Sequence, residues 1–151
     1  MDNTIYSLLE PTPFLNILTR LESIEATHLR QWGKMDIAQM LAHCAIPLEQ
    51  VTGKMPFVER NNWFFRTVIK PLVVNKRPFK PNTRTVPEFV VADARVFDIE
   101  KARLIEALHA FYAIGQHGVL PRHGTFGVLT KDEWGMLQYK HLIHHLAQFS
   151  A

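Results

Sequence analysis

Apolar positions recur at helical spacing in four stretches of this 151-residue chain, and alternation with a period of two is almost absent. The first stretch opens with Thr12 as a cap and Pro13 at the first helical position, then places Phe14, Ile17, Leu18, Leu21 and Ile24 on one face. A connector around Gly33 spans Arg30 to Lys34. The second helix starts at Asp36, whose capping-box partner is Gln39. It runs through Ile37, Leu41, Cys44, Leu48 and Val51 in steps of four and three, and stops at Gly53. The third takes Asp98 as its cap and carries Ile99, Leu104, Ile105, Leu108, Phe111 and Tyr112 toward Gln116. A loop with Gly118, Pro121, Gly124 and Gly127 then leads to a Thr130/Glu133 capping box, which opens a fourth helix from Trp134 to Phe149.

Between the second and third helices the pattern is irregular, because Pro71, Pro78, Pro81 and Pro87 break up any regular element. Asn61 to Val74 predicts a short helix with Trp63, Phe64, Val68 and Ile69, and Glu88 to Val96 a short extended piece. Four amphipathic helices in a chain of this length predict an all-α fold. It is expected to be a four-helix bundle with a long irregular crossover between the second and third main helices, forming a single domain over 1–151.

Composition narrows the setting. A hydrophobic share of 47% suits an ordered globular protein, and no apolar run approaches the roughly 20 residues of a membrane span. Met1-Asp2-Asn3-Thr4 lacks the basic start and apolar core of a signal peptide. Cys44 is the sole cysteine, so no intrachain disulfide forms, and a reducing, cytoplasmic setting is expected. Its place on an apolar stripe makes it a buried, inert thiol rather than a nucleophile. Net charge is +3, yet Lys54 to Arg84 holds eight basic side chains against Glu59 and so carries +7, leaving −4 for the rest. A solvated loop and a surface that attracts an anionic small molecule both fit that block. Nucleic acid does not, since zinc-finger spacing, a basic recognition helix and an RNP-type aromatic motif are all missing. The rings of Trp63, Phe64, Phe65 and Phe79 are expected in the core, with a self-association surface as the alternative.

The candidate chemistry lies in the fourth helix. His141 and His145 stand four residues apart and project from one helical face, the spacing at which two imidazoles reach one metal ion. Among the chain's eight histidines, His43 ranks as the third ligand. It flanks the apolar stripe of the second helix, and Pro47 lacks the amide that would bond its carbonyl, so a bend is expected there. His144 points about 60° to the side of His141, which suits a supporting or substrate-facing place. Tyr139 is a further assisting candidate. His123, in the glycine-rich loop, is either at a cleft mouth or simply on the surface. His28, His109 and His117 have no partner at a telling spacing. The pair lacks the glutamate of H-E-x-x-H, and no G-x-S-x-G elbow, P-loop or Rossmann glycine motif is present.

Three segments together resemble the DinB-like superfamily, in its branch described as a domain of unknown function. They are Trp32-Gly33-Lys34-Met35-Asp36-Ile37-Ala38-Gln39-Met40-Leu41-Ala42-His43, the loop His123-Gly124-Thr125-Phe126-Gly127, and Trp134 through Gln148 with Tyr139-Lys140-His141-Leu142-Ile143-His144-His145. The resemblance implies an up-up-down-down four-helix bundle holding a divalent metal through His43, His141 and His145, the trio that the residue ranking also selects. It also implies a homodimer, and for some members chemistry that uses a low-molecular-weight thiol. The chain departs from the pattern at Gly124, where proline follows the loop histidine, which leaves a role for His123 open.

Two functions follow. One is a metal-dependent enzyme acting on a small molecule, as a thiol-dependent transferase or a hydrolase. Zinc or nickel is favoured by the imidazole donors, with iron or manganese also compatible. The other is a non-catalytic helical bundle serving as a binding or stress-associated interaction protein.

Overall fold

The computed structural model describes residues 4–60 and 62–151. Met1 to Asn3 of the signal-peptide reading and Asn61, the start of the predicted short helix, lie outside the described residues. Among the described residues the chain is helical and holds no strand. The elements are α1 (Pro11–Ser23), α2 (Ile37–Val51), a π-helical turn (Phe65–Ile69) that runs into α3 (Lys70–Val73), a 3-10 turn (Pro87–Phe89), α4 (Phe97–His117) and α5 (Lys131–Gln148).

Two helix caps follow the sequence and two do not, and the helix expected from Trp134 begins at Lys131. At α2, Gln39 N–H donates to Asp36 Oδ1 at 2.8 Å while Asp36 N–H donates to Gln39 Oε1 at 2.9 Å, so both arms of the capping box close. Thr130 and Glu133 do the same at α5, at 3.1 and 2.8 Å. Helix α1 instead begins at Pro11, with Glu10 rather than Thr12 as its cap. Pro11 lacks an amide that the first turn could not satisfy anyway, and the Glu10 carbonyl accepts from Phe14 N–H at 3.0 Å. In α4 the cap is Val96, whose carbonyl accepts from Glu100 N–H at 3.0 Å. Asp98 therefore falls in the first turn, where its charge faces the positive end of the helix.

Helix α2 is central. Every residue from Ile37 to Val51 except Gln39 is buried, because α4, α5 and the crossover pack around it. The expected one-sided stripe is thus replaced by all-round burial, and the helix runs on through Pro47 without interruption. Helix α1 packs against α4 and α5. At the α2–α4 contact, Arg103 grips the buried Glu49 through Nε at 2.9 Å and Nη2 at 2.6 Å, and reaches Glu100 through Nη1 at 3.1 Å. Helices α2 and α5 run antiparallel. Trp32, before α2, bonds to Gln148 at the end of α5, and Phe57, after α2, lies 6.3 Å from Trp134 at the start of α5. That orientation sets residue 43 across from residues 141 to 145.

The crossover is tied down by polar contacts. Lys140, 1% exposed, donates through Nζ to the carbonyls of Val73 and Asn75 and lies 4.2 Å from the centre of the Phe79 ring. Arg60 pairs with Glu88. Residues 88–96 form no paired strand, although the backbone is extended at Val90 and Val96; Pro87–Phe89 closes on itself, with Phe89 N–H bonded to the Val86 carbonyl at 3.0 Å. The core expectation also fails for Trp63 and Phe64, which are 69% and 49% exposed. A short π turn and one α turn offer the bundle only one side, and Phe65 is the ring partly buried there.

Candidate metal centre

His43 comes from the middle of α2, and His141 and His145 from successive turns of α5. The fold brings all three together: each contributes one ring nitrogen, and these atoms all lie within 4.8 Å of one another. The three ring centres are 4.6 to 4.9 Å apart. His43 and His145 are buried and His141 partly so.

Each buried ring is oriented from behind. His43 Nδ1–H donates to the Phe89 carbonyl at 2.7 Å, which leaves the Nε2 lone pair pointing away from that bond. His145 Nδ1–H donates to Gln148 Oε1 at 2.9 Å. The orientation of the Gln148 amide is fixed by its other end, since Nε2 donates to the Trp32 carbonyl at 2.8 Å. Both histidines therefore present Nε2 as an acceptor. His43 Nε2 and His141 Nε2 meet at 2.9 Å, so His141 supplies the proton of that contact and can move it to Nδ1 without any change of charge.

The electrostatics keep the cluster neutral. Burial pushes the pKa of His43 down, the Phe89 hydrogen bond opposes this, and the nearby His144 adds to the fall. His141 sits well below the ordinary histidine value through burial, and then through His145, His43 and His144. His145 is pushed down to about 3, chiefly by burial. Neutral imidazoles are the form that binds metal. Three nitrogens around a tetrahedral ion at 2.0–2.1 Å would stand about 3.3 Å apart. The His43–His141 contact of 2.9 Å and the 4.8 Å limit on the whole set lie on either side of that value.

The other sequence candidates separate. His144 is adjacent, with its ring 5.0 Å from that of His145, and stands between Trp32 at 5.9 Å and Phe79 at 6.0 Å. Its pKa is lowered by burial, and its ring bonds to the Phe79 backbone. With Lys140 and Ile143 these residues line a cleft of about 160 Å³. His123 is not brought to the triad. Its Nδ1 accepts from Thr125 and Phe126 N–H at 3.0 and 3.2 Å, and the ring stacks on Phe126 and lies 5.2 Å from Trp134. Trp134 is seven residues, about 10 Å of helix, before His141. Tyr139 faces away as well, making an edge contact with Tyr6 at 5.8 Å beside Arg20. His28 bonds locally to Glu25, while His109 and His117 are exposed.

Sequence reasoning missed the groups behind the ligands. Gln148 stands three residues after His145, a spacing that could have flagged it. The Phe89 carbonyl, 46 residues from His43, leaves no trace in the sequence. No helix among the described residues is long and apolar enough to cross a membrane.

Comparison with curated proteins and with solved structures finds no match to this chain. Residues 8–151 match the family described as "Protein of unknown function (DUF1569)", and the chain belongs to that family.

Proposed function

We propose that this chain is a divalent-metal-dependent enzyme acting on a small molecule, built as a single-domain DinB-like four-helix bundle with His43, His141 and His145 as the metal ligands. The observation that carries the reading is the convergence of three neutral imidazoles, two of them held through Nδ1 so that Nε2 points inward. Zinc or nickel suits three imidazoles, and iron or manganese is compatible with them. Such an ion lowers the pKa of a bound water or thiol and so supplies the nucleophile of a hydrolase or a thiol-dependent transferase.

The chain's own residues orient and enclose the reacting group. Cys44 does not supply the thiol, because it is buried and burial pushes its pKa up; a low-molecular-weight thiol from solution takes that part. Trp32, Phe79 and His144 offer a small substrate an apolar cleft beside the triad. Exposed Arg66, Lys76, Arg77, Lys80 and Arg84 favour an anionic one. The single cysteine, Cys44, suits a reducing, cytoplasmic setting, and the exposed apolar side chains of Trp63, Phe64, Val68 and Leu72 support a homodimer. They are also the observation that favours the second reading, a non-catalytic interaction protein.

Elemental analysis of tag-free protein tests the ligand set. His141→Ala and His145→Ala are expected to lose most bound divalent metal, while His28→Ala and His117→Ala keep it. Equal metal content in all four variants rejects the assignment. Activity that persists undiminished in His141→Ala, with either thiol or water as nucleophile, would move the protein to the second reading.

A further inference from the structure

Gln138 stands one turn before His141 on α5. Offsets of three and seven residues return to within about 60° on an α-helix, so position 138 shares a stripe with positions 141 and 145, whose side chains meet His43 of α2. The Gln138 side chain is 3% exposed, and its Oε1 is buried without a hydrogen-bond partner among the described residues. The other buried polar atom in that condition, Arg95 Nε, lies 3.0 Å from Asp93 Oδ2 and so has a charge to face. No such partner is evident for Gln138 Oε1. A buried acceptor without a donor carries its whole desolvation cost, so a native protein keeps one where something else supplies the proton.

The triad supplies three ligands. A catalytic tetrahedral site keeps its fourth position for water, and a water there has protons that need an acceptor. The Nδ1 atoms of His43 and His145 are committed to Phe89 and Gln148 on the far sides of their rings. An amide oxygen one turn away on the same stripe can fill the need. Unlike the glutamate of H-E-x-x-H, it orients the water without taking its proton.

We propose that Gln138 Oε1 accepts the hydrogen bond of the water in the open position of the metal held by His43, His141 and His145. Gln138 is then a positioning residue of that site, and the proposal rests on the metal reading above.

The test uses the full chain and zinc alone. Zinc affinity is measured by chelator competition, and melting temperature is measured without and with metal, for wild type, Gln138→Leu and Gln138→Glu. Without metal, Gln138→Leu is expected to melt at or above the wild-type temperature, since the orphaned acceptor is gone. With metal, it keeps one ion per chain but binds it about tenfold more weakly. Gln138→Glu keeps the acceptor and is expected to bind at least as tightly as wild type. Wild-type affinity in Gln138→Leu overturns the proposal. So does loss of metal as complete as in His141→Ala, which would make Gln138 a ligand, or a metal-free Gln138→Leu that melts lower, which would make its role structural. Wild-type protein that takes up no zinc-like ion overturns the metal reading itself, an outcome read without any Gln138 variant.

Discussion

Replacing Gly33 by alanine should weaken the proposed metal site from a position that touches none of its three histidines. Gly33 has φ +82°, and a Cβ there would stand 2.5 Å from Gln148 Nε2 and 3.7 Å from its Cδ. The left-handed backbone alone costs an alanine about 1–2 kcal/mol. The contact falls on the end of a flexible side chain, but that end is fully engaged, with Nε2 on the Trp32 carbonyl and Oε1 on His145 Nδ1. Moving it breaks both bonds and leaves a buried ring N–H without an acceptor, about 1–3 kcal/mol more. Gly53 is the matched control. It has φ +79° and nothing within 4 Å of its ideal Cβ, so Gly53→Ala carries the backbone cost alone.

Denaturant unfolding should therefore place Gly33→Ala about 1–3 kcal/mol below Gly53→Ala. Chelator competition should find zinc binding about tenfold weaker in Gly33→Ala and unchanged in Gly53→Ala, the loss expected when a metal-binding histidine loses its orienting partner. Equal stability and equal zinc affinity in the two variants would refute the chain of contacts from Gly33 through Gln148 to His145.

Acid should unfold the metal-free protein early. The imidazole of His145 is held near 3 in the folded state against an ordinary 6.5, with His43 and His141 lowered too, so below about pH 6.5 the unfolded chain binds more protons than the folded one. Stability is present above that pH and falls on acidification, by up to about 1.4 kcal/mol per pH unit for a group held as low as His145. His123, held near 4 by burial, adds to the slope, and a flat stability profile between pH 5 and pH 7 would contradict these assignments. An anionic low-molecular-weight thiol should bind more weakly as salt rises, because the cations between Lys54 and Arg84 are screened beyond about 8–10 Å; salt-independent binding would leave that block a solvated surface.

Local signals carried most of what the sequence revealed. The capping boxes at Asp36/Gln39 and Thr130/Glu133 are short-range hydrogen-bond patterns, and both helices start where they indicate. The spacing of His141 and His145 is likewise local to one helix. The approach of His43 was legible only as a ranking, because it depends on α2 and α5 running antiparallel in contact. What failed were choices between nearly equivalent local arrangements. Pro11 and Pro13 can both open a helix, Val96 and Asp98 can both precede one, and the winner is set by the tertiary fit of the first turn. Trp63 and Phe64 misled for a different reason, since hydrophobic character does not say which side of a short, irregular turn will meet the core. The part of the site carried by backbone carbonyls, at Phe89 and Trp32, has no side-chain signature at all.

Three imidazoles meeting through their ring nitrogens are a poor way to fill a core. Apolar side chains of the same volume would bury without desolvating any polar atom, and no carboxylate joins the cluster among the described residues to balance an imidazolium. The rings nonetheless have dedicated acceptors, drawn from separate parts of the chain. Phe89 comes from the crossover, Gln148 from the end of α5, and Trp32 holds Gln148 from the connector before α2. Those bonds stabilise one tautomer each for His43 and His145 and turn the remaining lone pairs toward a common point. Packing alone gives no reason to select that tautomer. A cation at the common point would, because it would satisfy all three nitrogens at once, and the protons of His43 and His145 already lie on the outer side. Lys140 tethers the crossover to α5 through the Val73 and Asn75 carbonyls, and the crossover in turn supplies the Phe89 acceptor of His43, so the orientation of that ring depends on the crossover being ordered.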